Sequence, residues 1–528
     1  MLATALFVFT NERGFSHEVA GGEWDIAVAL AAFLFLLLLA SRAALPGWTA
    51  AAALACAIVV EGLAAFRMGG LGGAAIVAAL VALVPWRAAR LGLPPLVLLA
   101  SFAANYPLVR ALADPRHASP LPPLEGFVAV ILSVLTLPFV IRDPERRLFR
   151  WGTWLVGTGM FGLLTERYFM RVASVVAPDD VLLTLGGATL VLASAFARGP
   201  RLGRVVAALG ISAMVLTALL LLQGASYVSD STVSIDEAAR DLLRGEDPYV
   251  TVDIVEAVHA RGLSDDLFTH YADGSGVERR YPYPAGSFLP SAALFALGVH
   301  DVRYGFLGAL ALLYLIVALR APAALAPYVG AIALVDVMAM RQVALAGVEP
   351  TWALFLVLSL VLPRAGGLFA GLATAARQTA WLYVPWLALD RLRQEPRRLA
   401  AWLALVLAAF GIVNLAFAID APAAWLASVS APIVSPYEPL GFGVVRFSTD
   451  GPFPLAPRAA YTVAMVVAFA ASLWTYWRDR ATWRYGLAVL PVAPLYVAWR
   501  SLQNYFMFAP IFLVSLMAED PEVRSQRM

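Results

Sequence analysis

The stretch LAAWLALVLAAFGIVNLAFA (399–418) contains no charged residue. A bilayer core about 30 Å thick is crossed by about 20 apolar residues in a helix, so this stretch predicts one membrane-spanning helix. Similar stretches recur along the chain, which is 61% hydrophobic and 14% charged, with a mean hydropathy of +0.76. Because backbone amides in hydrocarbon must be paired within the segment, and barrel strands would be shorter and alternating, the sequence predicts an all-α polytopic membrane protein.

The hydropathy pattern predicts about 17 transmembrane helices. They are expected at residues 25–41, 48–66, 69–86, 93–111, 123–141, 151–168, 180–197, 204–223, 284–299, 303–320, 323–340, 346–362, 366–390, 399–418, 459–477, 484–499 and 503–518.

Several short connections between these helices are rich in arginine, which indicates their side of the membrane. They are residues 86–90, 142–150, 198–204, 391–398 and 478–484. The positive-inside rule assigns such loops to the cytoplasm. Alternation along the chain then places the N-terminus and two long polar segments, 224–283 and 419–458, on the extracytoplasmic side.

Composition also bears on the cellular location. The chain has no lysine and is rich in Ala, Arg, Gly and Leu, which suggests a GC-rich prokaryotic genome and therefore the plasma membrane. The apolar run Met1–Phe9 lacks a basic flank and a small-residue cleavage site, so no cleaved signal peptide is expected. Cys56 is the only cysteine, which excludes an intrachain disulfide or a thiolate metal cluster within this sequence.

The chain divides into two parts by the distribution of its polar residues. Residues 1–203 are predicted to form N-terminal transmembrane helices with few intramembrane polar groups. The sequence assigns these helices no role. Residues 204–528 hold the polar constellations and the external loops 224–283 and 419–458.

The first external loop is acidic, and two of its aspartates lie close to the preceding predicted span. Asp230 and Asp236 lie within about ten residues of the end of span 204–223, where a membrane-linked substrate would present its head group. From Ile235 the sequence IDEAARDLLRG has apolar residues at helical spacing and ends in Gly245, followed by Asp247-Pro248. This pattern predicts an amphipathic interfacial helix closed by glycine and proline.

The segments SDSTVSIDEAARDLLRGEDPY (229–249) and RYPYPAGSFLP (280–290) resemble the first extracytoplasmic loop of GT-C superfamily glycosyltransferases. The resemblance is to the glycosyltransferase family 87-like group, related to bacterial polyprenol-phosphate-mannose-dependent mannosyltransferases. AARQTAWLYVPWL (375–387), PYEPLGFGVVRFST (436–449) and WRSLQNYFMFAP (499–510) follow in the expected order, so the resemblance covers about residues 224–518. One departure is that Ser231 follows Asp230, whereas the family commonly has Asp-Glu, a pair found here as Asp236-Glu237.

The resemblance implies an inverting membrane hexosyltransferase with a GT-C-like bundle. It would transfer a sugar such as mannose from a polyprenyl-phosphate donor to an extracytoplasmic lipid, glycan or protein acceptor. An alcohol acceptor needs a base to take its proton. Asp230 and Asp236 are both candidates for that base, and helix capping is the structural alternative.

The leaving lipid phosphate gains negative charge, so arginine is expected near it. Arg377 is the first candidate because an unpaired charge inside a span costs at least about 2.5–3.5 kcal/mol. Arg500 and Arg446 are further candidates, and snorkelling or interfacial anchoring is the alternative for Arg377 and Arg500. The expected pocket also includes Glu237, Tyr249, Tyr281, Tyr283, Gln378, Trp381, Asn504 and Tyr505.

Cofactors and partners are only partly indicated. The sequence has no HExxH, no GxxxxGK[ST] and no strand-borne GxGxxG pattern, so a zinc site, ATP hydrolysis and nucleotide-sugar binding are not supported. A divalent cation such as Mg²⁺ or Mn²⁺ at Asp230 or Asp236 stays open. The expected partners are the polyprenyl-phosphate sugar, a lipid or glycan acceptor and membrane lipids, and no nucleic acid is expected.

Two other functions are compatible with this sequence. A secondary transporter or flippase of a lipid-linked sugar would also have many helices and an intramembrane arginine, although the large acidic loop is not required for transport and no repeat is visible. A non-catalytic scaffold of the cell envelope would account for the unassigned N-terminal helices and would tolerate replacement of both aspartates.

Overall fold

The computed structural model describes only the C-terminal three fifths of the chain. The described residues are 200–222, 227, 229–322, 325, 326, 329, 330, 333, 343, 350–441, 444–449, 454–480, 483–502, 505 and 508–521. The first seven predicted spans and most of span 323–340 lie outside them. The division at residue 203 therefore stays a prediction.

The described part is mostly helical, at 74% of its residues, which agrees with the all-α class. Its first half contains α1 (Pro200–Leu222), α2 (Asp230–Arg244), α3 (Pro248–Thr251), α4 (Ile254–Ala260), α5 (Leu289–Ala296) and α6 (Val302–Arg320). Its second half contains α7 (Thr351–Val361), α8 (Gly366–Ala376), α9 (Val384–Gln394), α10 (Leu399–Asp420), α11 (Pro422–Val434), α12 (Arg446–Thr449), α13 (Arg458–Arg478) and α14 (Ala509–Glu519). Strands β1 (Leu440–Gly441) and β2 (Arg500–Ser501) form a short parallel pair.

Three described helices are long and apolar enough to cross a membrane: Val302–Arg320, Pro396–Asp420 and Arg458–Arg478. Helices Thr351–Val361 and Pro363–Ala376 add a fourth if they form one broken span, although they are bent by 118°. The predicted total of about 17 spans is not confirmed by the described residues.

Four predicted spans are not continuous helices. Segment 284–299 keeps only the eight α-helical residues of α5, and segment 366–390 is broken after α8. Among the described residues of segment 503–518, only those of α14, from Ala509 onward, are α-helical. Segment 484–499 contains the 3₁₀ turns Gly486–Ala488 and Ala493–Val497. All four segments contain proline, which lacks a donor and clashes with the preceding turn. Hydropathy alone therefore overestimated helix length.

The predicted helix of the first external loop is present as α2, and its C-terminal signal is confirmed. Gly245 adopts φ 80°, and its N–H and that of Glu246 bond to the carbonyls of Leu242 and Asp241. Glycine tolerates this left-handed turn without a Cβ clash. The helix begins five residues before the predicted start, because the Ser229 side chain accepts a hydrogen bond from the N–H of Ser231.

Helix α8 packs against α7 and α10 and carries the central residues of the site at its C-terminal end. Gly367 and Gly371 lie against the backbone of α10 at Trp402 and Val406, so a side chain at either glycine would collide with that backbone. Small residues spaced by four are a common way for membrane helices to approach closely. The contact holds the end of α8 in a fixed position relative to α10.

Candidate active site

The site is built around the first turn of α2, where Asp230 is the first helical residue. The backbone N–H of Thr269 donates to Asp230 Oδ2 over 3.0 Å. Burial raises the pKa of the Asp230 carboxyl above its ordinary value, although the Thr269 hydrogen bonds and the charge of Arg500 lower it in part. A carboxylate with a raised pKa is better suited to accept a proton near neutral pH than an ordinary aspartate.

Arg377 lies at a break in the chain, not inside the continuous helix predicted for 366–390. Helix α8 ends at Ala376, Arg377 is extended (φ −152°, ψ 141°), and a 3₁₀ segment, Gln378–Tyr383, follows. The side chain is buried, at 8% exposure. Its guanidinium lies 3.7 Å from the ring centroid of Tyr283, and both terminal nitrogens lie 3.4 Å from Ser231 Oγ. Arg377 is therefore next to the residue that follows Asp230.

Gln378 and Trp381 stabilise this break. Gln378 Nε2 donates to the carbonyls of Pro282 (2.8 Å) and Val429 (3.0 Å), which joins the break to the 280–290 segment and to α11. Trp381 Nε1 donates to the Thr374 carbonyl in the last turn of α8 over 2.9 Å. Helix ends leave carbonyls unpaired, and this indole satisfies one of them. Both residues support the pocket and do not reach Asp230 in these contacts.

The 280–290 segment lies directly against the end of α8. A Cβ on Gly286 would lie 2.6 Å from the Ala375 carbonyl oxygen and 2.8 Å from its carbon, so only glycine fits. Asn414 of α10 accepts the N–H of Ala285 over 2.9 Å through its side-chain oxygen. This close packing fixes Tyr283 under Arg377.

Three predicted tyrosines form one aromatic cluster. Tyr249 and Tyr281 meet edge to face at 5.6 Å, and Tyr281 and Tyr283 do so at 5.8 Å. The hydroxyl of Tyr249 donates to the Tyr283 carbonyl over 2.9 Å, and the hydroxyl of Tyr281 is hydrogen-bonded to Ser287. Tyr249 and Tyr281 are buried, so they shape the pocket wall, whereas Tyr283 contacts Arg377 directly.

Arg500 reaches the same place from the C-terminal part of the chain. It lies on β2, opposite Leu440 of segment 419–458, and its guanidinium is 5.1 Å from the ring centroid of Tyr437. Its charge lowers the pKa of Asp230. Tyr505 interacts electrostatically with both Arg377 and Arg500. The structure thus brings Asp230, Arg377, Arg500, Tyr283 and Tyr505 together.

Asp236 and Glu237 belong to a different cluster. Asp236 lies six positions after Asp230, which in a helix is about 9 Å along the axis and about 120° around it. Asp236 is 1% exposed and accepts Arg240 Nε over 3.0 Å, and it also pairs with Arg261. Glu237 accepts Arg261 over 2.8 Å and Arg244 over 3.2 Å. These contacts are those of a structural ion-pair network.

The structure leaves two predicted residues without a described side chain. Arg446 begins the short helix α12, and its side chain lies outside the described residues. Asn504 also lies outside them. Their proposed roles stay predictions.

A metal site is not visible in the part of the chain that the structure describes. There, no three His, Cys, Asp or Glu side chains come close enough together to hold an ion. The groups that surround Asp230 are the Thr269 N–H, which donates to it, and the positive charge of Arg500, and such groups suit an anion rather than a cation.

Sequence reasoning missed several residues that build the site. Thr269, Tyr437 and Glu278 come from segments 224–283 and 419–458, and Asn414 and Gly286 fix the 280–290 segment. Tyr437 lies in PYEPL, within the stretch 436–449 that carries the resemblance, and Asn414 is a lone amide in an apolar span. Both positions could therefore have been proposed from the sequence. Thr269 and Glu278 had none beyond their place in the acidic loop.

Comparisons of this chain with protein-family models, curated proteins and solved structures found no match. Function is therefore inferred from the chemistry of the clustered residues: one carboxylate with a raised pKa beside two guanidinium groups. Such an arrangement can take a proton and hold an anionic group at the same place.

Proposed function

We propose that the protein is an inverting membrane glycosyltransferase that uses a polyprenyl-phosphate sugar. The observation that carries the proposal is the convergence of Asp230, Arg377 and Arg500 at the first turn of α2. Three stretches that are far apart in the sequence contribute one residue each. Their chemistry matches what transfer from a lipid phosphate to an alcohol requires.

In the proposed reaction, Asp230 accepts the proton of the acceptor hydroxyl. The acceptor oxygen forms a bond to the anomeric carbon while the bond from that carbon to the phosphate oxygen breaks. The electron pair of the broken bond leaves with the polyprenyl phosphate, and the anomeric configuration inverts. The raised pKa of the Asp230 carboxyl, caused mainly by burial, makes it a stronger base than an exposed aspartate.

Arg377 and Arg500 are assigned to the leaving phosphate. Arg377 stacks on Tyr283, so its planar fork has a fixed orientation before a ligand arrives. Charge that develops on the phosphate is then stabilised by groups that need not reorganise. The apolar helices beside the site supply a setting for a polyprenyl chain, and the site is assigned to the extracytoplasmic face of the plasma membrane.

A lipid-linked-sugar transporter is the second candidate, because the breaks in the chain favour it. Helices α7 and α8 are bent by 118° relative to each other, and α8 stops at Arg377. Discontinuous helices frequently build transporter binding sites. The raised pKa at Asp230 is not needed for transport, which is why the transferase is preferred.

A single preparation can separate the two functions. Protein in sealed proteoliposomes is given radiolabelled polyprenyl-phosphate mannose, with and without a membrane-lipid extract as acceptor. The proposal expects label in a new product only when acceptor is present, and loss of that product in Arg377→Gln but not in Arg397→Gln, an exposed arginine used as the control. Movement of intact donor across the bilayer without a new product would support the transporter instead.

A further inference from the structure

Glu278 is a buried carboxylate in the first external loop that the proposed mechanism does not use. It is 2% exposed and lies in a dense set of donors. Its oxygens accept the backbone N–H of Arg279 and Arg280 (both 3.1 Å), Arg280 Nε (2.9 Å) and Nη2 (3.0 Å), and the hydroxyls of Tyr271 (3.2 Å) and Tyr437 (2.7 Å). Burial alone would raise the pKa of Glu278, but the hydrogen bonds from Arg280 and Tyr437 hold it below the ordinary value. The group is therefore a fixed anion.

Tyr437 connects this anion to the second external loop. Tyr271 and Tyr437 form a backbone bridge, and their rings stack at 5.8 Å with an angle of 6°. Adjacent hydrogen bonds run from Ala272 N–H to the Pro436 carbonyl (2.8 Å) and from Glu438 N–H to the His270 carbonyl (2.9 Å). The Tyr437 side chain is thus held by the hydrogen bond from its hydroxyl to Glu278, and the Tyr437 backbone is held by the bridge to Tyr271.

Tyr437 in turn contacts the strand that carries Arg500. Trp499 Nε1 donates to the Tyr437 carbonyl over 2.6 Å, and the Arg500 guanidinium faces the Tyr437 ring at 5.1 Å. Two side-chain groups on this strand, Arg500 Nε and Ser501 Oγ, are buried with no hydrogen-bond partner among the described residues. An unpaired buried donor is costly, so an anionic ligand that accepts from Arg500 would stabilise the site.

We propose that Glu278 is a positioning residue for the donor phosphate: by holding Tyr437, it fixes the Arg500 guanidinium where the phosphate binds. This inference rests on the proposed function, since it concerns how the same site binds its donor. Glu278 does not touch the substrate. Its effect passes through one hydroxyl hydrogen bond and one ring-to-guanidinium contact, so it should be energetically coupled to Arg500.

The test uses the full chain in nanodiscs and radiolabelled polyprenyl monophosphate as the probe. Glu278→Gln and Tyr437→Phe should each weaken binding about tenfold, as expected for loss of one hydrogen bond to a charged group. Tyr437→Phe keeps the ring next to Arg500 and so remains informative if Glu278→Gln folds poorly. Asp273→Asn, at an exposed turn of the same loop, is the matched control and should bind as the wild type does.

The decisive comparison is the double variant with Arg500→Gln. If Glu278 acts through Arg500, Glu278→Gln should weaken binding no further in the Arg500→Gln background. Equal affinity of the wild type, Glu278→Gln and Tyr437→Phe, or full additivity with Arg500→Gln, would overturn this inference and leave the proposed function standing. Absence of binding by the wild type would overturn both.

Discussion

Asp230 and Asp236 of α2 have different surroundings, and replacing each by asparagine should affect stability differently. Asp236 is buried and paired with Arg240 and Arg261. Removing one partner of a fully buried pair costs about 3–5 kcal/mol. Here the side chain of Arg240 is 38% exposed, and Arg261 keeps Glu237. Neither arginine is left buried and alone, so the expected loss for Asp236→Asn is about 1–3 kcal/mol.

Asp230→Asn should be neutral or stabilising at pH 7. Burial raises the folded-state pKa of Asp230 above its unfolded value. The folded protein therefore binds more protons between those two pKa values, and stability falls as pH rises through that window. At pH 7, above the ordinary pKa of an aspartate, this loss of stability is present. Asparagine avoids it, because it does not ionise and its side-chain oxygen can still accept the Thr269 N–H.

The assay is thermal unfolding in one detergent at a fixed scan rate, because large membrane proteins often unfold irreversibly. The apparent midpoint of Asp236→Asn should fall by about 1–3 °C. That of Asp230→Asn should equal or exceed the wild-type value, and the exposed control Asp273→Asn should not change. A stable Asp236→Asn together with a destabilised Asp230→Asn would refute this assignment of the two roles.

Two further predictions follow from the same contacts. Asp230 must be ionised to act as a base, and the charge of Arg500 lowers the pKa of Asp230. The acid limb of the pH–rate profile should therefore move to higher pH in Arg500→Gln and stay in place in Arg500→Lys. An unmoved limb in Arg500→Gln would show that Arg500 does not influence the ionisation of Asp230. Gly286→Ala should destabilise the protein by about 1–3 kcal/mol, because the added Cβ would collide with the Ala375 backbone. Gly411→Ala is the control: its Cβ would enter open space, so it should be neutral or stabilise by up to about 1 kcal/mol through helix propensity. Equal thermal unfolding midpoints for the two variants would contradict the close packing at Gly286.

Local patterns in the sequence predicted the local features of the structure. The apolar spacing of 235–245 and the terminal glycine were sufficient to predict α2 and its end, but the start at Asp230 depends on one serine cap. The spans that failed contain proline, and giving proline more weight would have shortened three of them. The helix break at Arg377 lies eight residues before Pro385, so the proline does not predict where α8 ends.

Contacts between distant parts of the chain could not be predicted. Arg377 meets Ser231 across 146 residues, and Glu278 meets Tyr437 across 159. Neither pair has a spacing or periodicity that a single sequence can reveal. The quoted motifs lie in segments that the structure brings together, whereas distinguishing Asp230 from Asp236 required the partners of each carboxylate.

Initial rates of sugar transfer test the central claim most directly. Radiolabelled polyprenyl-phosphate mannose and a membrane-lipid acceptor extract are supplied to equal amounts of folded wild type, Asp230→Asn and Asp236→Asn. A general base is typically worth about 10²–10⁴-fold in rate. The account predicts a loss of that size in Asp230→Asn and near wild-type rates per folded molecule in Asp236→Asn. Full activity in Asp230→Asn, or a selective loss in Asp236→Asn, would contradict it.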